Sequence, residues 1–257
     1  MRRVGSKLAG LAWIAAGISL AALCAVRLPQ LAKHVPWTAE RWFARVLGGG
    51  PSPQVRCGTA RPEAAALLQQ LVRRIYPLNA EDAELPITVD VIHGDTVNAF
   101  ASLGGQIYVF DGLLKQADTP DELAGILAHE IEHVKHRHVI QDAVVSLLTL
   151  RALSSVSPSA GQVGKQVTYR LLTLSFNREQ EAEADEKGLE RLRAASIDAQ
   201  GFRDFFLRAK PAGSPFQVLS SHPDNGARAE LASHFRGYPT TPVMGMAEWR
   251  ELKMICH

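Results

Sequence analysis

Hydrophobic and polar positions alternate with several distinct rhythms along this chain. Residues 8 to 26, LAGLAWIAAGISLAALCAV, are an uncharged run of 19 residues after the basic opening MRRVGSK. A helix of that length spans about 28 Å, close to the hydrocarbon thickness of a bilayer. The pattern predicts one N-terminal transmembrane helix within residues 1–27, read as an uncleaved anchor. A cleaved signal usually has a shorter apolar core and a clearer small-x-small site than Ala22 to Ala25 offer. Leu23, standing before Cys24, argues against lipidation there.

Residues 28–57 end in a Gly- and Pro-rich stretch and read as a linker. Beyond it, RPEAAALLQQLVRRI at 61–75 has helical apolar spacing with Pro62 near its start. ITVDVI at 87–92 alternates as a half-buried strand does. NAFASL at 98–103 and QIYVF at 106–110 flank Gly104-Gly105 and predict a hairpin. In TPDEL, Thr119 and Glu122 predict a capping box with Pro120 in the first turn, opening a helix that runs unbroken to about Ile140. Val144 to Leu150 is far too short for a second span. A polar helix is expected from about Lys165 to Ala195, and short helices and turns follow. The fold class expected is α+β: a helix-rich domain over residues 58–257 with a small antiparallel sheet, preceded by the membrane helix.

Charge narrows the function. The 28 basic residues against 26 acidic ones, with no basic run interleaved with aromatics, point away from nucleic acid. Basic residues flank the apolar run on both sides, so they hardly orient it. Cys57 and Cys256 lie near the two ends of the soluble domain. They are equally readable as a disulfide of an oxidising compartment or as two separate thiols.

The chemistry concentrates in ILAHEIEHVKHRHVIQ at 126–141. On a helix His129 and His133 lie one turn apart on one face, with Glu130 beside them. Such an H-E-x-x-H offers two imidazoles to a cation and a carboxylate to a water that the cation activates. His136 is roughly 10 Å further along a straight helix, too far to share the ion. His138 is rotated to the opposite face, and both read as solvated or supporting histidines. Glu132 points away from the ligands. The third ligand must come from elsewhere. Glu181, 48 residues after His133 in REQEAEAD, is a candidate with Asp185 one turn on, suited to hold a ligand imidazole. Spacing alone does not separate Glu181 from Glu179, Glu183 and Glu186, which read as a solvated face.

HEIEH at 129–133 followed by NREQEAEAD at 177–185 resembles the HtpX-like and CAAX-prenyl-protease-type gluzincin metallopeptidases. NAFASLGGQIYVFDGLL at 98–114 and SSHPDNGAR at 220–228 extend the resemblance over most of residues 60–235. It implies one zinc ion per chain on His129, His133 and Glu181, with Glu130 as general base and Asp185 behind the ligands. It further implies that His222 approaches the metal, as an oxyanion donor or an inhibitory ligand, and that Arg228 pairs with active-site carboxylates. Asn98, Ala99, Phe100 and Ala101 would bind an extended polypeptide substrate by strand addition. Glu132 and Leu103 stand where the family often has Ala or Gly, and Pro. The multi-span members carry membrane helices between the two motifs, absent here, so the chain is more similar to the periplasmic BepA-type branch. The expectation is a zinc metalloendopeptidase clearing unfolded or misassembled envelope proteins, anchored in the inner membrane with its domain in the periplasm. A cytoplasmic face and a cleaved signal are the alternatives for its location. The rival function is a chaperone-like envelope protein with a closed, non-catalytic zinc site.

Overall fold

A computed structural model describes residues 27–46, 51, 55–77, 85, 87–154, 176–209 and 225–257. The expected transmembrane helix, the stretch 165–175 of the expected polar helix, and His222 lie outside these residues. Among the described residues no helix is long and apolar enough to cross a membrane.

Within the stretch read as a linker, Trp37–Val46 is helical (α1). Helix α2 (Pro62–Ile75) buries Ala64, Leu68, Leu71, Val72 and Ile75, the stripe its spacing predicts. Three strands follow: β1 (Thr88–Ile92), β2 (Ala99–Ser102) and β3 (Gln106–Phe110). They form one sheet in the order β1-β3-β2. β2 and β3 make the expected antiparallel hairpin, with Ala99 opposite Val109 and Ser102 opposite Gln106. Gly104 and Gly105 turn it at φ 81° and 83°, a left-handed region that costs glycine little. β1 departs from expectation because it pairs with β3 in parallel, Thr88 opposite Gln106 and Ile92 opposite Phe110. The sheet is therefore mixed and not antiparallel. Only β2 and β3 share a tight turn, while residues 93–98 carry the chain past β3 and leave β1 on its far side.

Helix α3 (Asp111–Gln116) leads to α4 (Pro120–Lys135), the helix around which the fold is built. The Thr119 hydroxyl accepts the Glu122 N–H at 3.3 Å. The Glu122 carboxylate reaches one residue further back than a capping box requires, to the Asp118 N–H at 2.9 Å. Almost all of α4 is buried, between β2 on one side and two helices, α6 (Arg178–Ala194) and α7 (Gln200–Arg208), on the other. Gly188 lets α6 pack close to the ligand helix: a Cβ there would meet the His129 backbone nitrogen at 3.2 Å. Helix α6 starts at Arg178 and not near Lys165, because Asn177 and Gln180 close a reciprocal capping box.

The helix expected to run on to Ile140 stops at Lys135 instead. Arg137 adopts φ 65°, and α5 (His138–Ser154) starts in a new direction. Two further helices, α8 (Asn225–Ser233) and α9 (Met246–Lys253), pack against α7 and α2 respectively. Cys57 and Cys256 are joined by a disulfide with Cα atoms 4.7 Å apart, tying the entry to α2 to the segment after α9.

Candidate active site

Helices α4 and α6 cross with four sequence-predicted residues between them. His129 and His133 present their Nε2 atoms to each other at 2.9 Å. Glu181 stands opposite, with Oε2 3.7 Å from His129 Nε2 and Oε1 3.5 Å from His133 Nε2. Four-coordinate zinc with bonds of about 2.1 Å would set its ligand atoms roughly 3.4 Å apart, and the three separations bracket that value. All three side chains are buried, and their ligand atoms form one cluster able to hold a metal.

The support around them turns each ring. Asp185 Oδ1 lies 2.8 Å from His129 Nδ1 and accepts its N–H, which aims Nε2 at the shared point. His133 Nδ1 faces His138 Nδ1 at 3.0 Å, and His138 Nε2 faces Glu183 Oε2 at 3.0 Å. An ordered relay follows: His133 donates to His138, and His138 donates to Glu183. Phe176 stacks on the His133 ring at 3.8 Å, closing that side to water.

This corrects the sequence reading of His138. It is buried and not on the opposite face, because the left-handed Arg137 folds α5 back toward His133. Burial lowers the His138 pKa, and the hydrogen bond and charge of Glu183 oppose that only in part. Glu183, read as solvated, pairs with both His138 and His136. Glu179 and Glu186 are exposed, as expected. Glu132 does point away from the ligands, yet it is buried in a pair with Arg191 and bonded to His136 at 3.1 Å. Burial pushes its carboxyl up, but His136 and Arg191 outweigh that and hold it below the ordinary range.

Arg228 reaches in from α8. Its Nε donates to Asp185 Oδ2 at 2.9 Å and its Nη2 to Asp185 Oδ1 at 2.7 Å, a two-pronged grip. The same Nη2 donates to Glu181 Oε2 at 2.9 Å and approaches the His129 ring. The guanidinium lies over the Phe206 ring, 4.8 Å from its centre. One buried cation thus balances the two buried acidic side chains of α6, Glu181 and Asp185. A cavity of about 370 Å³ borders this corner, lined in part by Glu181, Asp185 and Arg228.

On the sheet side, Glu130 Oε2 accepts the Ala101 N–H of β2 at 2.8 Å. β2 is an edge strand, and its backbone alternates. Asn98 offers its carbonyl to Phe110 of β3, so Ala99 and Ala101, both buried, turn their backbone groups away from β3 while Asn98 and Phe100 face it. Of the four residues expected to pair with a substrate, two therefore carry the outward groups, and Ala101 connects that edge directly to Glu130.

The profile of Peptidase family M48 matches residues 62–235 of this chain. The "Beta-barrel assembly-enhancing protease" of Yersinia pestis is 30% identical over 183 residues, which cover 63% of this chain and 38% of that protein. The "Metalloprotease LoiP" of Escherichia coli (strain K12) is 31% identical over 160 residues, 59% of this chain and 62% of the relative. The "Mitochondrial metalloendopeptidase OMA1" of Schizosaccharomyces pombe is 30% identical over 169 residues, 63% and 50% of the two chains. The match thus spans well under half of the Yersinia pestis relative and half to three fifths of the other two.

Proposed function

This chain belongs to peptidase family M48, and from that premise we propose that it is a zinc metalloendopeptidase acting on unfolded or misassembled polypeptides of a cell envelope. The observation that carries the reading is the convergence of His129, His133 and Glu181, each turned or balanced by a buried partner, beside the Glu130 carboxylate, which accepts the Ala101 N–H. A purely structural zinc site has no use for Glu130 next to its ligands.

His129, His133 and Glu181 would hold the ion, and Asp185 and His138 would keep the two rings in the tautomer with a bare Nε2. Zinc, when bound, supplies Lewis-acid polarisation of a water and of the scissile carbonyl. Glu130 takes the proton of the attacking water on its carboxylate and later returns it to the leaving amine. An extended chain aligned along β2 by Ala99 and Ala101 would bring its peptide bond beside Glu130, reading backbone more than side chains. The family resemblance brings His222 toward the metal, as an oxyanion donor or as an inhibitory ligand.

The substrate class rests on the names of the relatives, which include proteases that enhance β-barrel assembly. Residues 58–257 would form the peptidase domain, tethered by 28–57 to an anchor in 1–27, with the domain in the periplasm. Glu130→Gln tests the core of this reading. It should retain zinc by elemental analysis and lose hydrolysis of unfolded casein by at least about a hundredfold. Casein cleavage at the parental rate would refute the assigned base.

A further inference from the structure

Helix α1 has two faces, and only one is used by the fold. Inward, Glu40 is buried; its Oε1 accepts the Gly104 N–H at 2.8 Å and its Oε2 pairs with Arg137 Nη1 at 2.6 Å. The Arg137 guanidinium lies flat over the Trp37 ring, 3.6 Å from its centre. Outward, Trp42, Phe43 and Val46 are 55%, 45% and 61% exposed. At 100° per residue these three fall within an arc of about 100° on the side away from Glu40 and Ala44. Leu31, in the helical stretch before the turn that leads into α1, is 61% exposed.

Charge and chain continuity say what meets this face. Residues 27–46 contain four basic side chains, Arg27, Lys33, Arg41 and Arg45, and one acidic side chain, Glu40. Glu40 is sequestered with Arg137, so the charge shown to the outside is wholly positive. The uncharged sequence 8–26 ends eleven residues before Trp37. Exposed aromatic and aliphatic side chains flanked by arginines are what an interfacial helix presents to lipid. Basic residues beside a membrane gain further from anionic headgroups. A second copy of the chain, or residues 155–175, could cover the apolar arc, but neither explains the arginines.

We propose that α1 lies on an anionic lipid surface, with Trp42, Phe43 and Val46 among the headgroups and Arg41 and Arg45 against their phosphates. The inward bonds give this docking a consequence. Glu40 links the same helix to the β2–β3 turn and to the arginine that separates the H-E-x-x-H helix from His138. The substrate edge is therefore held at a fixed height over the lipid, where it meets chains emerging from or lying on that surface. The inference rests on α1 and the sequence leading into it and is independent of whether the site cleaves peptides.

The test uses the full chain in vesicles of phosphatidylethanolamine and phosphatidylglycerol, with a photoreactive benzoylphenylalanine placed singly at 42, 43 or 46. A fourth variant places it at the exposed Glu190 of α6. After illumination, mass spectrometry should find lipid adducts at 42, 43 and 46 several-fold above those at 190. Arg41→Glu with Arg45→Glu should lower them. Adducts to a second copy, adducts to the chain's own residues, or lipid yields equal to those at 190 would each overturn the proposal.

Discussion

His133 and His138 face each other through their Nδ1 atoms at 3.0 Å, although they stand five positions apart and a straight helix would turn them apart. The contact exists because Arg137 takes a left-handed conformation at φ 65° and starts α5 in a new direction. His138 then holds the proton of His133 Nδ1 in place and passes its own N–H to Glu183.

Removal of such a supporting partner typically weakens metal binding about 10- to 100-fold. His138→Ala should therefore raise the zinc dissociation constant by that factor in a chelator competition, with cleavage recovering at excess zinc. His138→Gln, which can still accept from His133, should recover part of the loss. An unchanged zinc constant in the alanine variant would sink the assignment.

Much of this site is legible in the sequence, and the reason is periodicity. His129 with His133 and Glu181 with Asp185 are pairs four residues apart on regular helices, so the residue numbers alone place them on shared faces. Arg228 has no such spacing and is reached only through the family resemblance. His138 and Glu183 are hidden because one residue at positive φ reverses a helical projection, and arginine is not a residue that announces such a turn. The parallel placement of β1 is hidden for a similar reason: the Gly104-Gly105 turn specifies its own two strands and says nothing of a third. Helix α1 was masked by the Gly- and Pro-rich stretch after it, while the fixing contacts come from Gly104 and Arg137, far along the chain.

Arg228 is bonded to both Asp185 and Glu181. Replacing it with Met removes the charge and leaves two buried carboxylates without it, a loss of about 3–5 kcal/mol. Urea unfolding of the metal-free protein should show this deficit, and saturating zinc should recover part of it by offsetting Glu181. Arg228→Lys keeps the charge but not the two-pronged grip, and should fall between. A Met variant as stable as the parent would mean that the carboxylates are balanced by other groups.

The Cys57–Cys256 disulfide closes a sequence separation of 199 residues, which makes its constraint on the unfolded chain large. Changing both cysteines to Ala should cost about 2–5 kcal/mol, measured as a lower urea midpoint. Reductant should lower the parent's midpoint to that of the variant and leave the variant unmoved. Equal midpoints for oxidised parent and variant would show that the bridge contributes nothing.

Asp121 opens α4, and its carboxyl is raised above the ordinary 3.8 first by burial and then by the negative charge of Asp198. A carboxyl raised in the folded state contributes stability that is complete below its unfolded value and is lost as pH rises through the folded one. Like-charge repulsion from Asp198 enlarges that loss, so relieving it must help at neutral pH and not in acid. Asp198→Asn keeps an acceptor for the Gln200 N–H, which Asp198 Oδ1 now takes at 2.9 Å, and removes the charge. Solvent screening limits the gain to about 0.5 kcal/mol at neutral pH. The urea midpoint of the variant, with the metal state held constant, should exceed the parent's at neutral pH and converge on it as the pH falls below 3.8. A gain that instead grew toward acid would show that the charge of Asp198 does not act through Asp121.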